Sequence, residues 1–303
     1  MTYSEIWHRI ATSYDDSEAR AIARILIEEL FGLSYTDIVC GATEQLSADD
    51  TLRLDTAVRR IEQGEPLQHV LGYADFCGNR FSVNGSVLIP RPETEWLVDE
   101  GAKLMSDGNT PTDIKKPKSK RILDIGTGSG CIAISLKLRL GDAYVEAWDI
   151  SEEALRTAQD NADALKAEVV FRKRDALRAD NTAAPWDLIV SNPPYICDSE
   201  RTAMDDNVLL HEPHTALFVP DDDPLRFYRA IARYALLTLN IGGSLLFECN
   251  IRYAEATGKM LSDMGFEEVT ISDDCFGLPR FVRGSSPSQS AAPPNPPRRG
   301  GLS

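Results

Sequence analysis

Apolar residues at the start of the chain recur at helical spacing. In SEARAIARILIEELFG, Ile22, Ile25, Leu26 and Leu30 fall on one face, with Ser17 placed to cap the start and Gly32 the end. A second run, Leu52, Leu54, Ala57, Val58 and Ile61, follows Ser47-Ala48-Asp49-Asp50 and stops at Gly64. Residues 1–76 therefore read as a small helical domain. In 77–92 the pattern changes to short alternating runs around Asn84-Gly85, a dipeptide that tolerates the two positive φ angles of a tight turn, so a β-hairpin is predicted there. Pro90-Arg91-Pro92 ends it, and a helix is predicted from Glu93 to Met105. Ser106 to Lys120 is a polar connector. From Arg121 onward, β-rich runs alternate with helical ones, which predicts an α/β domain over 93–284 with a mostly parallel sheet covered on both faces. Seven strands are expected: Ile122–Ile125, Tyr144–Asp149, Glu168–Phe171, Leu188–Val190, Ser244–Cys249, Glu268–Ile271 and Arg280–Val282. Residues 285–303, rich in Ser, Pro and Gly, are expected to be disordered.

Composition narrows the class of function. The 303 residues are 43% hydrophobic and 26% charged, ordinary for a globular protein, and no apolar run approaches the length of a membrane span. Glu5, Asp15, Asp16 and Glu18 make the start of the chain unlike a signal or transit peptide, so a cytoplasmic protein, monomeric by default, is expected. The six cysteines contain no C-x-x-C pair, which indicates neither a zinc cage nor a disulfide framework. A net charge of -15 disfavours stable nucleic-acid binding, because a protein that neutralises phosphates carries a basic footprint.

Candidate chemistry begins at Asp124-Ile125-Gly126-Thr127-Gly128-Ser129-Gly130, a strand running into a glycine loop that opens a helix. Such a loop lets a ligand approach the backbone closely, although glycines also serve packing. Asp149, at the end of the next strand, is placed to accept both hydroxyls of a ribose, or else to cap the helix that starts near Ser151. Asp175, after the third strand, fits an acceptor for an adenine edge or a turn former. No G-K-[ST] accompanies the loop, and Asp124 would repel a pyrophosphate. S-adenosylmethionine (SAM) fits better, since it carries ribose and adenine without phosphates, and its positive groups favour an acidic neighbour.

A buried-strand pattern, Trp186 to Val190, then runs into Asn192-Pro193-Pro194-Tyr195. Two prolines cannot continue a central strand. The Asn192 side-chain oxygen and the Pro193 carbonyl can each accept one hydrogen of a planar –NH2, with the prolines holding both acceptors rigidly and Tyr195 packing on the plane. Amide and exocyclic amine nitrogens are weak nucleophiles, and two fixed acceptors favour the transition state in which positive charge grows on nitrogen. A proline turn that merely ends a strand is the competing explanation.

Five segments together, GEPLQHVLGYADF, LIPRPETE, ILDIGTGSG, VSNPPYI and HEPHTALF, resemble the HemK/PrmC proteins, the release factor glutamine N5-methyltransferases. The resemblance runs from the N-terminal helices to about Gly284. It implies a class I SAM-dependent methyltransferase fold, Rossmann-like, with an N-terminal helical domain that recognises substrate. It also implies that SAM donates a methyl group, leaving S-adenosylhomocysteine, to the glutamine of the Gly-Gly-Gln loop of class-1 peptide chain release factors, in support of translation termination. By motif, Gly126, Thr127, Gly128, Ser129 and Gly130, with Asp149 and the Asp175-Ala176 position, would hold SAM, and Asn192 to Tyr195 would hold the glutamine amide. Ala176 departs from the bulkier residue often found there.

Two other substrates share the same chemistry: a ribosomal-protein glutamine and the N6 of an adenine. A flipped base would need a basic surface and a target-reading domain. A non-catalytic SAM- or nucleotide-binding adaptor is a third reading, to which the intact glycine loop and NPPY run counter. His211 and His214, at i, i+3 without a third ligand, make a poor metal site. Arg91 can contact a partner or brace Glu93 and Glu95, and Glu248 is either a hydrogen bonder behind the site or a plain strand end.

Overall fold

A computed structural model of the protein describes residues 1–106, 119–179, 185–204 and 206–288. Most of the connector 106–120 and residues 289–303 of the expected tail lie outside the described residues.

The N-terminal unit comprises α1 (Tyr3–Ile10), α2 (Asp16–Phe31), α3 (Tyr35–Val39), α4 (Ala48–Glu62) and α5 (Leu67–Leu71). Its core takes Ile22, Leu26, Leu54, Ala57, Val58 and Ile61 from the predicted faces, with Leu30 partly buried against it and Ile25 outside it, and adds Ile27, Ile6, Ile10 and Ile38. Two details differ from expectation. Asp15 caps α2, its Oδ1 accepting the Ser17 and Glu18 N–H groups at 2.8 and 3.0 Å, because a cap two residues earlier reaches the free N–H groups that Ser17 cannot. Leu52, counted in the apolar run, is 66% exposed on the outer face of α4.

The hairpin is shifted from the predicted place. Strands β1 (Tyr73–Phe76) and β2 (Asn79–Ser82) pair antiparallel with Phe76 opposite Asn79, so Cys77-Gly78 forms the turn, at φ 48° and 74°. A non-glycine residue at positive φ is uncommon. Here the Cys77 N–H donates to Glu95 Oε1 at 2.6 Å, an anchor 18 residues away. Asn84 instead folds its own loop, Oδ1 accepting Ser86 N–H at 2.9 Å, while Nδ2 donates to Thr157 Oγ1 at 3.1 Å. Residues 83–89 thus form an irregular strap.

The larger α/β unit follows as α6 (Glu95–Ser106), β3 (Arg121–Ile125), α7 (Cys131–Leu140), β4 (Tyr144–Asp149), α8 (Glu152–Leu165), β5 (Val169–Lys173), β6 (Trp186–Ser191), β7 (Ile196–Cys197), α9 (Asp206–His211), α10 (His214–Leu217), β8 (Phe218–Val219), α11 (Arg226–Thr238), β9 (Leu239–Glu248), α12 (Ala254–Met264), β10 (Glu267–Asp273) and β11 (Pro279–Ser285). Seven strands form one sheet in the order β10-β11-β9-β6-β3-β4-β5, with β11 antiparallel to both its neighbours and the other pairs parallel. Side chains alternate between two cores: Ile122, Leu188, Val190 and Leu246 face α6 and α7, while Leu123, Ile189, Leu245 and Phe247 face α11 and α12.

Two boundaries move. Strand β9 begins at Leu239 rather than Ser244, with Gly242 at φ 72° carrying the chain through a register shift against β6. Residues 285–288 are ordered, not tail: Ser285 pairs with Ser244, the Ser286 N–H donates to the Gly243 carbonyl at 2.7 Å, and both side chains are buried. Among the described residues no helix is long and apolar enough to cross a membrane.

Candidate active site

Parallel strands end together, so the carboxyl ends of β3, β4, β5 and β6 bring their following loops to one edge. A cleft of about 340 Å³ opens there, lined by Gly126, Gly128, Asp149, Asp175, Ala176, Asn192, Pro193 and Pro194 of the predicted set. The strap contributes Val87, and α11 contributes Phe227 and Ile231.

The three loop glycines differ in purpose. A Cβ at Gly128 would meet nothing within 4 Å, and one at Gly126 only the Asn192 carbonyl at 3.9 Å, so both open onto the cleft. A Cβ at Gly130 would lie 2.9 Å from Ile134 and 3.1 Å from Ala158, so this glycine, at φ 82°, lets α7 pack on α8. Thr127 and Ser129 turn their side chains into the protein, 4% and 2% exposed, and do not line the cleft. Asn161 in α8, which sequence reasoning missed, grips the Ser82 N–H at 2.7 Å and the Ser129 carbonyl at 2.9 Å, tying the end of β2 and the glycine loop to one buried amide.

Asp124 is fully buried beneath the loop and outside the cleft lining. Its Oδ2 accepts the Thr127 hydroxyl at 2.6 Å, while Oδ1, which the Ala133 N–H approaches, completes no hydrogen bond. Burial pushes its carboxyl up to about 7. Asp149 Oδ2 accepts the Gly128 N–H and Oδ1 the Ser151 N–H, both at 2.9 Å. Burial raises its pKa and these two N–H bonds oppose the shift. The helix cap beside it is Ser151, whose hydroxyl oxygen takes the Ala154 N–H at 3.2 Å. Asp149 therefore ties strand end to glycine loop rather than capping α8. Asp175 does form a turn, Oδ1 accepting the Leu177 N–H at 2.9 Å, while still bordering the cleft.

At the end of β6, Ser191 donates to the Ile125 carbonyl at 2.6 Å, which draws the NPPY corner against the glycine loop. Asn192 Nδ2 lies 3.4 Å from Thr94 Oγ1. Tyr195 departs from expectation. It is absent from the cleft lining; its partly buried ring packs against the core cluster that includes α11, and its hydroxyl donates to Glu248 Oε1 at 3.3 Å. Burial raises its pKa, and the Glu248 charge adds to that. Glu248 is a hydrogen bonder behind the site, also accepting Thr94 Oγ1 at 2.7 Å. Arg91 braces neither Glu93 nor Glu95; it pairs with the buried Glu212 at 2.6 Å and so ties the strap to the loop after NPPY. The His214 Nε2–H donates to the Leu209 carbonyl at 2.8 Å, and His211 Nε2 is buried with no partner among the described residues.

Apolar wall residues escaped sequence reading. Ile150, 57% exposed, and Leu177 each follow a predicted acid closely, which is a usable signal. Phe227, partly buried, and Ile231, buried, carry none, for they lie far along the chain on α11.

Known proteins share this organisation. A model described as the PrmC N-terminal domain matches residues 6–72, and one described as the methyltransferase small domain matches residues 96–217. The release factor glutamine methyltransferase of Bacteroides thetaiotaomicron is 44% identical over 270 residues, covering 89% of this chain and 93% of that protein. The protein of the same name from Flavobacterium psychrophilum is 37% identical, covering 90% and 94%. A solved structure of the hMettl16 catalytic domain in complex with an RNA hairpin shares the fold, with a TM-score of 0.51 at 17% identity over 80% of this chain and 83% of that one. With relatives this similar over nearly their whole length, the chain belongs to the release factor glutamine methyltransferase family.

Proposed function

We propose that the protein transfers a methyl group from SAM to the side-chain nitrogen of the glutamine in the Gly-Gly-Gln loop of class-1 release factors, with S-adenosylhomocysteine as product. One observation carries this reading beyond family membership. The Asn192-Pro193 corner and the Asp149 carboxylate border the same cleft, with the glycine loop between them and the Asn192 carbonyl facing Gly126.

The residues present fit SAM. Each Asp149 oxygen accepts one backbone N–H and keeps a lone pair for a ribose hydroxyl. Ile150, Leu177, Phe227 and Ile231 offer the apolar surface that Ala176 is too small to supply to an adenine. When bound, SAM supplies a methyl group on a positively charged sulfur, open to displacement by a nitrogen.

The chain's own task is to prepare that nitrogen. Asn192 Oδ1 and the Pro193 carbonyl accept the two amide hydrogens, and these bonds strengthen as charge develops on nitrogen. No base is required before methyl transfer. A nucleic-acid substrate is disfavoured by the net charge of -15. Incubation with labelled SAM and a purified release factor, with ribosomal proteins and DNA as controls, tests the reading. Label on the Gly-Gly-Gln glutamine is expected, and label only on a control would replace the substrate proposed here.

A further inference from the structure

For Asn192 to accept a hydrogen, its amide must face the cleft with oxygen rather than –NH2. The two ends of an amide are nearly the same size and shape, so packing alone selects poorly between them. Some directional contact has to choose.

The choice is made behind the corner, by groups from three distant segments. Glu248, at the end of β9, is 1% exposed, and Thr94, in the turn before α6, is 2% exposed. When Glu248 is ionised it has no hydrogen to give, and the bond at 2.7 Å between Glu248 Oε2 and Thr94 Oγ1 then takes the only hydrogen of the threonine hydroxyl. Toward Asn192, Thr94 Oγ1 can then only accept. Asn192 Nδ2 is the atom that meets it, at 3.4 Å. That contact is long, and its value is in direction: a flipped amide would set Oδ1 against another oxygen with no hydrogen between them.

The second oxygen of Glu248 is engaged as well, by the Tyr195 hydroxyl at 3.3 Å. Burial raises the Glu248 pKa and Glu93 adds to that, while the Thr94 hydroxyl, Arg280 in β11 and the Tyr195 hydroxyl favour the charged form, and the Tyr228 hydroxyl holds the Glu248 main-chain carbonyl at 3.2 Å. Tyr195 thereby acquires a purpose different from the one its motif suggests: it helps hold Glu248.

We propose that Glu248 and Thr94 are positioning residues whose directed hydrogen bonds, carboxylate to hydroxyl to amide, turn the Asn192 oxygen toward the substrate. The proposal rests on Asn192 being the acceptor for the substrate amide. It assigns a purpose to the threonine of the RPETE segment and to a strand-end acid 154 residues away.

Steady-state kinetics with SAM and a purified class-1 release factor test it on Thr94→Val, Thr94→Ser and Asn192→Ala. Thr94→Val keeps the shape and removes the hydroxyl; kcat should fall roughly 10- to 100-fold, with both KM values within about threefold of wild type. Thr94→Ser restores the hydroxyl, and kcat should return to within about threefold. Wild-type kcat in Thr94→Val overturns the proposal. So does equal damage in Thr94→Ser, because lost packing would then explain both. Wild-type kcat in Asn192→Ala defeats the underlying reading of the corner, an outcome distinct from either. Should Thr94→Val fail to fold, Glu248→Gln decides, since its amide can present hydrogen as well as oxygen to Thr94. A kcat lowered at least about threefold at unchanged melting temperature supports the proposal, and an unchanged kcat overturns it.

Discussion

The N-terminal helices and the carboxyl edge of the sheet satisfy their polar groups in opposite ways. In the helical unit most partners are neighbours in sequence: Thr2 with Glu5, Asp15 with Ser17 and Glu18, Ser34 with Asp37, each two or three residues apart. Some bonds do cross between helices, as from Arg9 to Asp55 and Glu62 and from the Tyr3 hydroxyl to the Arg20 carbonyl. At the site local bonds such as Asp124 with Thr127 are joined by remote ones, with Asn192 and Thr94 98 residues apart and Arg91 and Glu212 121 apart. Local bonds form with little loop closure and set where helices begin and end. Remote bonds exist only after the sheet is assembled, so they can hold a geometry that no single segment could hold alone.

That contrast predicts where substitutions will damage chemistry and where they will damage only stability. The largest effect belongs to Asn192→Ala, expected to lower the single-turnover methyl-transfer rate by on the order of 100-fold or more, while release factor affinity changes little because a wider surface supplies it. A near-normal rate would reduce the NPPY corner to a structural turn. Next comes Asp149→Ala, which removes charge-assisted acceptors from the cleft; SAM affinity measured by calorimetry should weaken by about 1.5–3 kcal/mol, roughly 10- to 150-fold.

Asp124 offers a pH test of the buried edge. Burial lifts its carboxyl to about 7, so the folded chain holds this proton more tightly than the unfolded chain does. The resulting stability is fully present below the unfolded pKa and is lost as pH rises through about 7. Relative to Asp124→Asn, the SAM-free wild type should lose about 2 kcal/mol between about pH 4.5 and pH 6, read from denaturant midpoints at each pH. A constant difference would mean that Asp124 titrates normally. The smallest effect is expected in the helical unit: Asp15→Ala should cost about 1 kcal/mol of stability through the lost cap, with kcat unchanged. A fall in kcat there would show that the two regions are not separate in their purposes.

The outcome for particular residues shows what a sequence can disclose. The apolar positions of α2 and α4, the alternation of the sheet strands, and the order in which glycine loop, Asp149 and Asn192 meet the cleft all follow from periodicity and from the rule that parallel strands end at a common edge. The hairpin was misplaced because Asn-Gly is the stronger turn signal, whereas Cys77 reaches positive φ with its N–H anchored on Glu95. The hydrogen bond from the Tyr195 hydroxyl to Glu248 was illegible for a similar reason. The motif specifies a ring after two prolines but not which way that ring turns, and Glu248 lies 53 residues further on.

By itself, the sequence determined the elements, their order, the cleft edge and the residue types gathered there, because these depend on spacings of a few residues and on backbone chemistry. Tertiary structure decided which atoms of those residues are free to act. Thr127 and Ser129 turn inward, Gly130 serves packing, Asp124 lies beneath the loop, and Phe227 and Ile231 supply the wall that Ala176 lacks. The physical reason is that a side chain's direction is set by what is packed around it, and here those neighbours come from segments that meet only when the sheet closes.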